Sequence, residues 1–216
     1  MLDKLPTYLI ALVLLWATAA VTNAVPISVT ANGGGGASNV LFNVAGGTGT
    51  TIFGTINSDP SLSIFFTSPE TLVGSGGQAV LAAAAGNFDK VTFGLQNGGT
   101  FTQAIFNLDA TENGSVQFKV SYIDLTGLTY SASQSVNKNG QNFFTVAAVD
   151  GAVITQIELQ ALGAVEFSDI KQFRLGGARA SSSVPDGGST LTLLGLVLLA
   201  TAVVHRTLGG KIVKIG

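Results

Sequence analysis

Asn107, Asp109, Thr111, Glu112 and Asn113 crowd oxygen-bearing side chains into one short run that ends at Gly114. Runs of this kind hold hard cations such as Ca²⁺, which takes carboxylate, amide and carbonyl oxygens as ligands. The spacing is not that of the common calcium loop. Counted from Asn107, glycine falls at the eighth position instead of the sixth, and Phe118 stands at the twelfth, where a bidentate glutamate belongs. Solvated turn residues are the plainer reading, with Asp109, Glu112 and Asn113 kept as weak Ca²⁺ candidates.

Other chemistry is scarce. The 216-residue chain has one histidine, His205, near its C-terminal end, and no cysteine. Between Val25 and Asp186 there is neither imidazole nor thiolate, which excludes Ser-His-Asp and Cys-His catalysis and zinc held by those ligands. Carboxylates remain, and glycoside hydrolysis needs two of them facing across a cleft. Asp109, Glu112 and Asp124 lie near one turn without a diagnostic spacing. No catalytic set and no cofactor are expected, and a carboxylate-dependent glycoside hydrolase is the weakest alternative. Sugar stacking favours Trp or Tyr; outside the N-terminal 24 residues only Tyr122 and Tyr130 remain, and all thirteen Phe lie in that same part.

The chain carries a net charge of −2, but Val25 to Asp186 holds six basic and eleven acidic residues, a net −5. No basic patch attracts a phosphate backbone, so nucleic acid is not expected as a partner. Only 10% of residues are charged, against roughly 25% in ordinary soluble proteins, and 28 are glycine. That balance suits short strands joined by tight turns.

The pattern that must position any site has period two. SVQFKVSYI, Ser115 to Ile123, sets Val116, Phe118, Val120 and Tyr122 on one face and polar residues on the other. Asn142 to Val149 and Val153 to Gln160 flank Asp150-Gly151, a favoured hairpin dipeptide, and are predicted to pair. Further strands are predicted near Ile27–Ala31, Val40–Val44, Thr51–Ile56, Leu62–Phe66, Lys90–Leu95, Phe101–Leu108 and Phe167–Leu175, with one helical turn at most over Leu81–Ala85. The fold class is all-β, an antiparallel β-sandwich of jelly-roll type flanked by an N-terminal signal helix and a C-terminal hydrophobic helix.

Both ends address the chain. Lys4, an apolar run from Tyr8 to Val21 and small residues at Thr22 and Ala24 have the layout of a signal peptide (1–24), cleaved after Ala24. An exported domain over 25–175 and a Gly/Ser linker over 176–183 follow. Then Val184, Pro185, Asp186, Gly187 and Gly188 precede a hydrophobic helix across 189–204, closed by Arg206 and a tail at 207–216 with Lys211 and Lys214. Pro185 biases Val184 toward extended backbone and the glycines keep helix out of the motif. The basic tail places the C-terminal end in the cytoplasm.

This tripartite end resembles the PEP-CTERM sorting signal in its Val-Pro-Asp variant. Asn87 to Leu175, with NFDKVTFGLQ, NGQNFFTVAAVDG and FSDIKQFRLGGA, also resembles the β-sandwich bodies of exported PEP-CTERM proteins. The resemblance implies partners rather than chemistry: a signal peptidase, an exosortase-type membrane protease acting at 184–188, and exopolysaccharide around the displayed domain. The expectation is a non-enzymatic protein tethered to the membrane before processing and then held at the cell surface or in the extracellular matrix. A carbohydrate-binding adhesin is the alternative.

Overall fold

A computed structural model describes residues 25–42, 47–76, 79–123, 129–138 and 140–181. The expected signal helix, sorting motif, hydrophobic helix and tail lie outside these residues, as does Asp124. Within them the elements are β1 (Ile27–Thr30), β2 (Ser38–Leu41), β3 (Thr48–Ile56), β4 (Asp59–Ser75), β5 (Val80–Ala83), β6 (Lys90–Leu95), β7 (Gln103–Ala110), β8 (Gly114–Ile123), β9 (Thr129–Val136), β10 (Asn142–Ala148), β11 (Val153–Leu162) and β12 (Phe167–Gly176). One 3₁₀ turn, Gln96–Gly98, is the only helical element among the described residues, and no described helix is long and apolar enough to cross a membrane.

The strands form one continuous antiparallel path, β1-β10-β7-β12-β2-β3-β4-β6-β11-β8-β9, folded into two layers. Short β2 and β5 each pair with strands of both layers, β2 with β12 and β3, β5 with β12 and β4. At the open side Gln134 of β9 donates to the Val29 carbonyl of β1 at 3.1 Å.

The filling is phenylalanine. Phe106 of β7 lies 5.8 Å from Phe93, 6.2 Å from Phe118, 6.2 Å from Phe144 and 5.2 Å from Phe173, ring centre to ring centre. Phe66 and Phe173 meet edge to face at 4.8 Å. These rings come from both layers and are fully buried, so aromatic contact adds to area burial in holding the layers together. Tyr122 is 5% exposed and Tyr130 packs against the core. Tyr122 thus leaves no ring face for a sugar, and Tyr130 is half-buried.

Three sequence expectations are corrected. Residues 142–149 and 153–160 do not pair: β10 bonds to β1 and β7, β11 to β6 and β8, in opposite layers. The Asp150-Gly151 turn is there, with φ of 55° and 80° and Ala152 N–H donating to Val149 O at 3.0 Å. It reverses the chain locally, but the two strands take different neighbours far apart along the same sheet path, β10 between β1 and β7 and β11 between β6 and β8. Leu81 to Ala83 belongs to β5, not to a helical turn, because Leu81 fills the core and the segment closes the gap between β4 and β12. The third is β9, TYSASQSV, absent from the expected strands because its inward positions include Ala132 and Gln134 and its alternation in hydropathy is weak.

Candidate functional site

The calcium candidates are divided between two lysines. Glu112, in the turn after β7, bonds Lys138 Nζ at 2.7 Å, and Asn113 Oδ1 accepts from the Lys138 backbone N–H at 2.7 Å. Asp109, back on β7, accepts from Lys171 Nζ at 2.6 Å. Among the described residues no group of three or more His, Cys, Asp or Glu converges as a metal centre requires.

Asp109 belongs instead to a polar face that sequence reasoning did not assemble. Along β7 the residues Ala104, Phe106 and Leu108 enter the core, so Gln103, Ile105, Asn107 and Asp109 occupy the outer side. Register builds the rest: Phe143 of β10 and Lys171 of β12 flank Asn107, Asp169 faces Asp109, and Arg174 and Thr145 flank Ile105. The glycine-rich segment before β2 borders this face, Gly34 N–H donating to Thr145 Oγ1 at 2.9 Å and Thr145 Oγ1 to Asn32 O at 2.7 Å.

Strict alternation would turn Lys171 and Arg174 to opposite sides of β12. Between them the register shifts and Gln172 takes a φ of 59°. This bulge inserts one residue, so Phe173 still enters the core while Lys171 and Arg174 both face outward. A non-glycine residue in the left-handed region costs conformational energy, and here that conformation sets two cations on the same face as two carboxylates.

The electrostatics are uneven. Lys171 Nζ bonds Asp109 at 2.6 Å and stands 3.5 Å from Asp169 Oδ1, an ion-pair contact without a hydrogen bond. Burial first, then the facing Asp109, holds the Asp169 carboxyl above its usual range against the pull of Lys171. The hydrogen bond to Asp109 raises the Lys171 ammonium, with burial opposing it. Asn107 is 3% exposed, and its Oδ1 accepts no hydrogen bond from the described residues.

A second feature lies on the other layer. A groove of about 420 Å³ follows β3, lined by Gly47, Thr51, Ile52, Phe53, Gly54, Thr55 and Ser63. Phe53, 46% exposed, stands opposite half-buried Phe65.

Beyond the body, residues 183–208 match the VPDSG-CTERM motif, a PEP-CTERM-like sorting signal. The match contains the Val184–Gly188 motif read from the sequence, with Gly187 at the place of the serine in the motif's name. It starts close behind Arg179, which exchanges two backbone hydrogen bonds with Thr100, so part of the expected linker is joined to the body. No curated protein matches the chain. Among solved structures, a mutant family 29 carbohydrate-binding module complexed with mannohexaose is 13% identical, covers 71% of this chain and 91% of its own, and overlays with a TM-score of 0.22. Another mutant of that module, complexed with cellulohexaose, gives 12%, 72%, 91% and 0.22. The enzymatically active domain of tailspike protein 4 from bacteriophage CBA120 gives 12%, 70%, 19% and 0.25. Overlays this loose carry no weight for fold or ligand.

Proposed function

We propose that this chain is an exported, non-enzymatic protein of the cell surface or extracellular matrix. A signal peptidase removes residues 1–24, the segment 189–204 holds the chain at the membrane, and an exosortase-type protease acts at Val184–Gly188 to release or transfer the body. The observation that carries this reading is the VPDSG-CTERM motif at 183–208, just beyond the last paired residue of an all-β body. Pro185 and the glycines favour an extended peptide that a membrane protease can grip. Exchanging Val184, Pro185 and Asp186 together for alanine tests it: the variant is expected to accumulate uncleaved in the membrane fraction. Unchanged processing of that variant contradicts the reading.

A second reading, compatible with the first, is that the displayed body binds carbohydrate. The outer face of β10, β7 and β12 favours it, with acids and cations in equal number and a buried amide oxygen left without a partner. Neutral oligosaccharides, whose hydroxyls both donate and accept, are the first probes for the body.

A further inference from the structure

Asp109, Asp169, Lys171 and Arg174 share one outer face, two acids against two bases. Asn107 lies between Phe143 and Lys171 in the adjoining row. Buried polar atoms normally find partners, and one left without costs about 1–3 kcal/mol. Here two acceptors are unspent, Asn107 Oδ1, on a side chain 3% exposed, and Asp169 Oδ1. Donors are unspent beside them. Among the described residues Lys171 Nζ makes one short hydrogen bond, to Asp109, with Asp169 Oδ1 farther off at 3.5 Å, and Arg174 forms no ion pair.

The chemistry narrows the ligand class. A hard cation would have to take the position that the Lys171 ammonium fills between the two carboxylates. An anion would meet Asp109 and Asp169 at close range. A neutral polyhydroxyl compound fits, because each hydroxyl both donates and accepts and so can serve Asp169 Oδ1 and Lys171 Nζ together. Half-buried Phe143, beside Asn107 and packed in part against Gly33, leaves the rest of its ring as apolar surface for the C–H side of a sugar.

We infer that the outer face of β10, β7 and β12 is a binding site for a neutral glycan segment, with Asp109, Asp169 and Lys171 bonding the hydroxyls, Asn107 at the floor and Phe143 at the side. This deepens, and rests on, the reading that the body binds carbohydrate. Ligand entry shifts the Lys171 side chain and gives Asn107 Oδ1 a donor.

The test uses the full chain in a detergent without a sugar headgroup. Neutral hexasaccharides of glucose, of mannose and of galactose are screened by saturation-transfer NMR, and hydrogen exchange of the unsubstituted chain is compared with and without each. At least one is expected to bind and to protect the backbone around Asn107–Asp109 and Asp169–Arg174. Asp109→Asn and Lys171→Met, each checked for folding by its thermal transition, are expected to weaken binding at least about tenfold, and Lys119→Ala, on the opposite layer, to leave it unchanged. Binding that survives both site variants, or protection confined to the Phe53 groove, overturns this site while the carbohydrate reading stands. No binding of any hexasaccharide overturns both. Protection of the same segments by Ca²⁺ alone, with no sugar effect, overturns the ligand class.

Discussion

Asp109 and Asp169 stand directly opposite one another across the β7–β12 ladder, and the ammonium of Lys171 lies within ion-pair reach of both. Like charges facing across a ladder repel. The pair persists because Lys171 supplies the opposite charge at 2.6 Å and 3.5 Å.

Lys171→Met is therefore expected to destabilise the fold at pH 7 by about 1–2 kcal/mol, between the values for exposed and for buried pairs. At low pH the loss is expected to shrink, because Asp169, whose carboxyl is held above its usual range, is then protonated and no longer repels Asp109. Urea midpoints of the two proteins at pH 7 and pH 3 check this; an equal loss at both assigns the effect to packing.

Asp169 sets a pH dependence of its own. Its carboxyl is raised above the usual 3.8, mainly by burial, so the folded chain holds that proton more tightly than the unfolded chain. Its contribution to stability is full below 3.8 and is lost as pH rises through the raised value. Relative to Asp169→Asn, the unsubstituted protein is expected to lose stability over that window and to run parallel above it. A gain over the same window contradicts the assignment. Lys171, raised above 10.5, gives the corresponding loss only when pH climbs beyond that value.

Gly94 in β6 has no room for a side chain. A Cβ there would come within 2.6 Å of the Thr155 carbonyl oxygen and 3.2 Å of the Phe65 ring. Gly94→Ala is expected to cost about 1–3 kcal/mol, as overpacking does, and denaturant unfolding measures it.

Two buried amides should answer differently. Asn142 Nδ2 donates to Leu108 O at 2.8 Å and Asn137 O at 3.0 Å, while its Oδ1 accepts from Asn137 N–H at 2.9 Å; Asn107 Oδ1 accepts nothing. Asn142→Leu is expected to destabilise by about 1–3 kcal/mol, since it strips partners from buried backbone groups, and Asn107→Leu by less. Equal losses in thermal melts would mean that the Asn107 amide is structurally engaged.

Much of the body is legible as period-two sequence because its inward rows are Phe, Val, Ile and Leu; Ser115 to Ile123 runs within β8. What alternation cannot show is where it breaks. The register shift at Gln172 brings Arg174 to the face of Lys171, and a shift in the β3–β4 register around Thr51 leaves Pro69 in β4 outside the regular pairing. Hairpin chemistry at Asp150-Gly151 predicts the turn but not which strands bond, since that choice rests on contacts distant in sequence. The face of Asn107, Asp109, Asp169 and Lys171 is hidden for the same reason: its members lie about sixty residues apart and meet only through the β7–β12 register. The sorting motif is legible because it acts as a linear peptide.

The intact mass of the protein recovered from the membrane, surface and medium fractions of its own cells tests the central claim most directly. A mass matching a chain that starts at Val25 and ends within Val184–Gly188, alone or with one added group, is the result this account predicts. A chain running on to Gly216 in the membrane fraction, with no shorter species outside it, would contradict sorting by cleavage.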